Sequence, residues 1–308
     1  LGAKTAIIEK EVVGGICLNH GCIPTKTFLK SAKVYKTMKH ATDYGISASN
    51  VEYDWTKILS RKDSVVKQLT NGVGFLLKKN GVDVYNGEAV VVSAKEVKVG
   101  NETLQTKNII LATGSSAIVP PIPGVKEAYE KGTLVTSKEL LKVQSVPKSL
   151  VIIGGGVIGV EFATVFNSFG SKVTIIEKMD GILPTMDEEV RQAYTKTLKK
   201  DGIEILTGAE VKAVNDHKLT YALEGKEVTI EGDLILMAVG TRANSKGLEH
   251  LGLEMDRANI KTNEYLQTNV PGIYAIGDVN GKFMLAHVAE HEGIIAVEHI
   301  LKKGHQKM

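Results

Sequence analysis

The sequence predicts an α/β protein of two interleaved units, each with a parallel sheet and a small antiparallel meander, and three observations predict it. The first is an internal repeat. Leu1-Gly2-Ala3-Lys4-Thr5-Ala6-Ile7-Ile8-Glu9-Lys10 aligns with Phe169-Gly170-Ser171-Lys172-Val173-Thr174-Ile175-Ile176-Glu177-Lys178 at an offset of 168. Both copies read as a helix end, a turn and a buried strand closed by a glutamate. The second is an echo at an offset of 126 between Ile109-Ile110-Leu111-Ala112-Thr113-Gly114 and Ile235-Leu236-Met237-Ala238-Val239-Gly240. The third is Gly154-Gly155-Gly156-Val157-Ile158-Gly159, set between an apolar strand at 149–153 and a helix through Glu161, Phe162, Val165 and Phe166.

That third segment carries chemistry. In G-x-G-x-x-G, Gly154 permits the tight turn, Gly156 lets the backbone approach a pyrophosphate, and Gly159 lets helix pack on strand, with the anion facing the helix N-terminus. A lone glycine pattern is weak. Placed between strand and helix, with Glu177 closing the next strand 23 residues after Gly154, it reads as a Rossmann-like dinucleotide-binding fingerprint. Glu177 is expected to accept hydrogen bonds from the adenosine ribose hydroxyls and to repel a 2′-phosphate. The repeat implies a second such unit. Subtracting 168 from Gly154 gives a negative position, so the matching loop of the first unit is expected ahead of residue 1, and the chain reads as a fragment.

The remaining elements follow in order. Residues 24 to about 41 and 54 to about 80 read as helices, the second with Trp55, Ile58, Leu59, Val66, Leu69, Val73 and Leu76 on one broad apolar face and Gly81 at its end. Short strands are expected at 82–84, 89–92, 96–99 and, after a Gly100-Asn101 turn, 108–112. Pro120-Pro121-Ile122-Pro123-Gly124 is a rigid connector to the second unit, and Gly272-Ile273-Tyr274-Ala275-Ile276-Gly277-Asp278 is a buried strand with a polar end.

Bulk properties agree with this architecture. A length of 308 residues exceeds one ordinary hydrophobic core, so two domains are expected. Hydrophobic content of 43% and charged content of 24% are globular values, which argues against a disordered chain. The formal charge of +3 is spread along the chain with no block of like charges, so nothing points to nucleic acid or a membrane surface. The most apolar stretch, 149–166, contains Gly154, Gly155, Gly156, Gly159 and Glu161, a poor composition for a span needing ~20 apolar residues. With a strand reached by Thr5 and no charged-then-apolar leader, no signal peptide is expected and a cytoplasmic location is the default.

The two cysteines lie in Gly14-Gly15-Ile16-Cys17-Leu18-Asn19-His20-Gly21-Cys22-Ile23-Pro24-Thr25-Lys26, read as a glycine-rich loop entering a helix at Pro24. A cysteine near a helix N-terminus has its reactive thiolate favoured by the dipole, so the pair can cycle between dithiol and disulfide. A pair of inert buried thiols is the bland reading. A metal site needs two further ligands, which His20 does not supply at zinc-like spacing, and no metal is expected.

At this loop the sequence resembles the disulfide-reductase flavoenzymes, which include dihydrolipoamide dehydrogenase, glutathione reductase and mercuric reductase, and the resemblance covers essentially all 308 residues. The Cys-Leu-Asn-x-Gly-Cys-Ile-Pro-Thr-Lys wording at 17–26 is similar to the dihydrolipoamide dehydrogenase branch rather than to the Cys-Val-Asn-x-Gly-Cys-Val-Pro wording of the others. The resemblance implies FAD and NAD as cofactors and oxidation of protein-bound dihydrolipoamide to lipoamide. A related disulfide or metal reductase, or a non-catalytic nucleotide-binding remnant, is the alternative.

The resemblance also implies roles. Cys22 would be the flavin-proximal sulfur and Cys17 the interchange sulfur that meets the dithiol. Lys26 would lie beside flavin N5, paired with Glu161, where the bland reading is a solvated helix lysine. Glu9 would meet the FAD adenosine ribose, Asp278 the ribityl-phosphate region, and Met284, Leu285, Ala286 and His287 the pyrimidine edge. Gly15, Thr113, Gly114, Gly240 and Gly277 join the cofactor-binding residues, with Gly154, Gly156, Gly159 and Glu177 for NAD. His287 and His291 read as helix histidines rather than bases, and His20 as a loop side chain or a tuner of thiolate pKa. The FAD-binding domain is expected at 1–119 and 243–308, and the NAD-binding domain at 120–242. Expected partners are a second copy, as a homodimer, and the lipoyl domain of a 2-oxoacid dehydrogenase or glycine cleavage complex. The family's general-base histidine and dimer surface are expected beyond Met308, and the fragment alone is expected to be inactive.

Overall fold

The computed structural model describes residues 2–304 and 306–308, so Leu1 of the repeat lies outside the described residues. The chain packs as two compact units, one of Leu1–Asn19, Gln68–Ser116 and Thr241–Met308, the other of His20–Lys67 and Ala117–Gly240.

In the second of these, strand Ser149–Ile153 lies at the centre of a five-stranded parallel sheet. Lys172–Ile176 and then Glu204–Leu206 follow on one side, Leu234–Met237 and then Leu134–Val135 on the other. The register sets Ser149 opposite Lys172 and Leu150 opposite Leu234. A parallel strand covered on both faces must be apolar at every position, and Leu150, Val151, Ile152 and Ile153 are all buried. Successive side chains enter opposite cores. Leu150 and Ile152 pack with Val160, Phe162 and Phe166 of helix Val157–Ser168, while Val151 and Ile153 pack with Val125, Ala128, Leu219 and Tyr221. Leu219 and Tyr221 belong to an antiparallel meander of Glu210–Asn215, Lys218–Leu223 and Lys226–Glu231.

The division by packing differs from the expected division by cofactor over residues 20–67, for a visible reason. Phe28 and Ala32 of helix Cys22–Lys39, and Trp55, join the core of Phe162 and Phe166. The Trp55 ring lies 5.1 Å from Phe28 and 5.7 Å from Phe166, and its indole N–H donates to Val143 O at 2.9 Å. A buried Trp needs such a partner for its N–H.

In the first unit, Ala6–Glu9 runs parallel to Asp83–Asn86, and Ile109–Leu111 parallel to Ile273–Ala275. Ala89–Ser93, Glu96–Val99 and Glu102–Gln105 form an antiparallel meander. Glu102–Gln105 has no counterpart in the sequence reading: four residues with two charges or amides at its ends give little period-2 signal. Helix Trp55–Lys79 has the expected extent, but its apolar face is only partly covered, since Leu69 and Leu76 are exposed. The greatest departure is at the cysteines. Gly15–His20 is a short helix and the long helix begins at Cys22, two residues ahead of Pro24. Proline is favoured in the first helical turn, where its missing N–H has no intrahelical role, so Pro24 marks the first turn rather than the first residue.

Candidate active site

Cys17 and Cys22 are both disulfide-bonded, and as the chain holds two cysteines they are joined to each other. The loop ahead of them is fixed by Asn19, whose amide donates to Val13 O at 3.1 Å and Gly15 O at 3.0 Å while its oxygen accepts from Thr70 Oγ at 3.0 Å. Gly15 has φ +71°, so this glycine takes the left-handed turn that starts the short helix. Cys22 is the first residue of an 18-residue helix whose N-cap, Gly21, offers no side chain. With no side-chain cap at this helix start, the dipole at its N-terminus favours a thiolate on Cys22 when the disulfide opens.

One turn further along the same helix, the Lys26 ammonium pairs with the Glu161 carboxylate. Lys26 is at i+4 from Cys22, so the two side chains share a helix face. Glu161 is on helix Val157–Ser168, directly after the glycine loop. The pair therefore links the helix that carries Cys22 to the helix that the glycine loop opens.

That loop has the shape of a phosphate seat. Gly154 has φ +105°, and a Cβ there would stand 2.4 Å from Ala238 O. A Cβ on Gly156 meets nothing within 4 Å, so the backbone there borders open space. Gly159 packs so closely that its Cβ would lie 2.2 Å from Gly154 O. Gly156 caps helix Val157–Ser168 with no side-chain hydrogen bond, which leaves first-turn N–H groups for an anion. Glu177 follows strand Lys172–Ile176 and is buried, accepting from Gly155 N–H at 2.6 Å and Met179 N–H at 2.7 Å. Lys178 turns away to Glu210 at 2.8 Å. Gly240 takes φ +113° after strand Leu234–Met237, and its carbonyl accepts from Ile118 N–H at 3.0 Å.

In the other unit, Glu9 ends strand Ala6–Glu9 and accepts from Glu11 N–H at 2.8 Å. Thr113 and Gly114 are stitched to Asn244: Thr113 Oγ donates to Asn244 O at 2.7 Å, and Asn244 N–H donates to Gly114 O at 2.9 Å. Gly277 and Asp278 open a 3-10 turn, Gly277–Asn280. Asp278 accepts from Ser115 Oγ at 2.6 Å. Met284, Leu285, Ala286 and His287 are exposed at the uncapped start of helix Ala286–Leu301, and Thr241 Oγ donates to Met284 Sδ at 3.3 Å. His291 is exposed on the same helix.

The sequence reading missed Asn19, Ser115, Asn244 and Glu292. Small polar residues in loops leave no periodic trace, so the first three were illegible. Glu292 did leave one, as an acid at i+4 from Val288 and i−3 from Ile295 on the apolar side of its helix, where a charge is rare unless paired. Among the described residues no group of three or more His, Cys, Asp or Glu is placed to hold a metal, and no helix is long and apolar enough to cross a membrane.

Comparison with known proteins decides the family. Residues 1–293 match the family model described as pyridine nucleotide-disulphide oxidoreductase. The chain belongs to the pyridine nucleotide-disulphide oxidoreductase family. It is 80% identical over 308 residues to the dihydrolipoyl dehydrogenase of Acholeplasma laidlawii, covering all of this chain and 92% of the relative. It is 44% identical to that of Mycoplasma genitalium, covering 99% of this chain and 67% of the relative. Among solved structures, the HOCl-induced flavoprotein disulfide reductase RclA from Escherichia coli superposes with a TM-score of 0.85 at 29% identity, over 99% of this chain and 67% of that one. As a member of this family the chain is an oxidoreductase with a redox disulfide, and its cofactors are FAD and NAD. The residues present fit both groups. The Gly154–Gly159 backbone and uncapped helix suit a pyrophosphate, and the half-buried Asp278, held by Ser115, offers a fixed acceptor beside an uncapped helix start.

Proposed function

We propose that this enzyme oxidises protein-bound dihydrolipoamide to lipoamide and reduces NAD to NADH. The observation that carries the reading is the Cys17–Cys22 disulfide at the start of a long helix, with the Lys26–Glu161 pair one turn on. A dithiol substrate presents a thiolate to Cys17, forming a mixed disulfide and releasing Cys22 as the thiolate that the helix dipole stabilises. The second substrate thiol then displaces Cys17 and leaves as lipoamide, so both enzyme sulfurs are reduced and the substrate is oxidised by two electrons. FAD bound beside the disulfide would supply a two-electron relay between the enzyme thiols and NAD. Lys26, held by Glu161, keeps a fixed positive charge on the Cys22 side of the helix.

In this reading residues 1–119 and 243–308 hold FAD through Glu9, Gly15, Thr113, Gly114, Gly277, Asp278 and the backbone of Met284–His287. Residues 120–242 hold NAD through Gly154, Gly156, Gly159, Glu177 and Gly240. The native protein works in the cytoplasm as a homodimer, with the lipoyl domain of a 2-oxoacid dehydrogenase or glycine cleavage complex as its macromolecular partner. The test is a steady-state comparison of the native full-length protein with dihydrolipoamide and NAD, oxidised glutathione and NADPH, and mercuric ion and NADPH. Turnover with the first pair at least 100-fold above the others supports the assignment, and a preference for either of the others replaces it with a related reductase.

A further inference from the structure

Glu292 is the one carboxylate with no solvent exposure at all among the described residues, on helix Ala286–Leu301. Placing an acid there is costly unless its oxygens are fully used. They are. One oxygen accepts from Gly277 N–H at 2.5 Å, and both accept from the Asn280 amide, at 2.9 and 3.0 Å. Gly277 and Asn280 are the first and last residues of the 3-10 turn Gly277–Asn280. The Asn280 oxygen is engaged as well, accepting from Lys282 N–H at 2.9 Å. Asp278 lies between the two clamped ends, and its own side chain is fixed by Ser115. Gly277 has φ +67° and a Cβ there would meet Ala289 at 3.1 Å, so the turn also sits against the helix that supplies Glu292.

We infer that Glu292 is a positioning residue for the flavin site: it clamps both ends of the Gly277–Asn280 turn and so fixes the direction of the Asp278 carboxylate. The inference rests on the reading that Asp278 binds FAD. Two roles for a buried acid predict opposite results on conversion to the neutral amide. A carboxylate that contributed only a buried charge would be replaced by Gln with neutral or improved stability. A clamp would fail, because the Gln amide sets an N–H donor against the Asn280 N–H donor where a carboxylate oxygen accepts at 2.9 Å, pushing Asn280 away from the one neutral oxygen left to serve both ends. Exchanging the roles repairs it. In the double variant Asn280→Asp with Glu292→Gln, the Gln oxygen accepts from Gly277 N–H and the Gln amide donates to one oxygen of the introduced aspartate. The other oxygen of that aspartate accepts from Lys282 N–H.

The experiment measures FAD affinity of the native full-length protein by flavin fluorescence quenching at 15 °C, alongside the melting temperature of each flavin-free variant. Loss of a buried hydrogen bond to a charged acceptor predicts FAD binding weakened roughly 30-fold in Glu292→Gln. Recovery to within about threefold of the unsubstituted protein is expected in the double variant. A role in folding alone would lower the melting temperature of Glu292→Gln with unchanged FAD affinity, and that result overturns the inference. Asp278→Ala keeps the two failures apart. If Asp278→Ala loses flavin while Glu292→Gln keeps it, the clamp is wrong and the flavin site stands; if Asp278→Ala itself keeps flavin, the placement of FAD at this turn is wrong and the clamp falls with it.

Discussion

Glu9 and Glu177 occupy equivalent places in the two copies of the repeat, and each accepts a hydrogen bond from the backbone N–H two residues further on, Glu11 at 2.8 Å and Met179 at 2.7 Å. Their surroundings differ. Lys172–Ile176 has a parallel neighbour on each side, whereas among the described residues Ala6–Glu9 pairs with Asp83–Asn86 alone. Ile175 is fully buried and Ile7 is 36% exposed. Glu177 adds a second contact, to Gly155 N–H at 2.6 Å. The same short text thus produces the same strand and the same closing turn twice, while burial is set by neighbours distant in sequence.

The largest expected effect that sharpens this comparison is in the glycine loop. Gly154→Ala demands a Cβ 2.4 Å from Ala238 O at φ +105°, so thermal denaturation should show a loss of about 3 kcal/mol together with loss of NADH binding. Gly156→Ala is the informative partner, because its Cβ meets no atom of the protein. It should melt within about 1 °C of the parent, yet bind NADH about 100-fold less tightly because the methyl occupies the pyrophosphate approach. Equal NADH affinity in Gly156→Ala would remove the nucleotide from this loop.

Next in size are the two glutamates. Glu177→Ala leaves two backbone N–H groups without their charged acceptor and should cost about 2–3 kcal/mol of stability, against about 1 kcal/mol or less for Glu9→Ala, where one more exposed contact is lost. Glu177→Ala should also erase the preference for NADH over NADPH, since the charge that repels a 2′-phosphate has gone. Parallel chemical denaturation and kinetics with both nucleotides would check both statements, and equal costs for the two glutamates would mean that the differing neighbours do not matter.

How much of this was legible in the sequence follows the same division. The strands and glycine loop of the five-stranded parallel sheet were readable because Leu150–Ile153 is a continuous apolar run ended by Gly154, and Val173–Ile176 is an apolar run broken only by Thr174 and ended by Glu177. The Cys17–Cys22 pair, Lys26 and Glu161 were readable through a specific motif. The short helix Gly15–His20 was not, since two glycines hide helical period, and neither was the side of the chain on which residues 20–67 pack, because Phe28 and Trp55 reveal that they are apolar but not what they touch. Asn19, Ser115 and Asn244 act through hydrogen bonds to loop residues that no spacing rule predicts.

The smallest effect concerns Lys178. Lys178 and Lys212 both bind the Glu210 carboxylate and push its pKa from the ordinary 4.5 down to about 2. A carboxyl depressed on folding contributes stability above its unfolded pKa and loses it as pH falls through the folded one. Glu210→Gln should therefore flatten the part of the stability loss that lies between pH 4.5 and about 2. These groups face solvent, so the difference should be small and should fade in 1 M salt. A pH dependence unchanged by the substitution at low salt would show that Lys178 is free for other contacts.

The central claim is that Cys17 receives the dithiol and Cys22 faces the flavin. It is tested most directly by anaerobic titration of the native full-length protein with NADH, following the long-wavelength absorption of a thiolate against flavin. The band should form in the parent as NADH reduces the disulfide, should already be present in Cys17→Ser before NADH is added, because Cys22 is there a thiolate with no disulfide to open, and should be absent from Cys22→Ser at every stage. A band lost in Cys17→Ser and retained in Cys22→Ser would reverse the two roles and contradict this account.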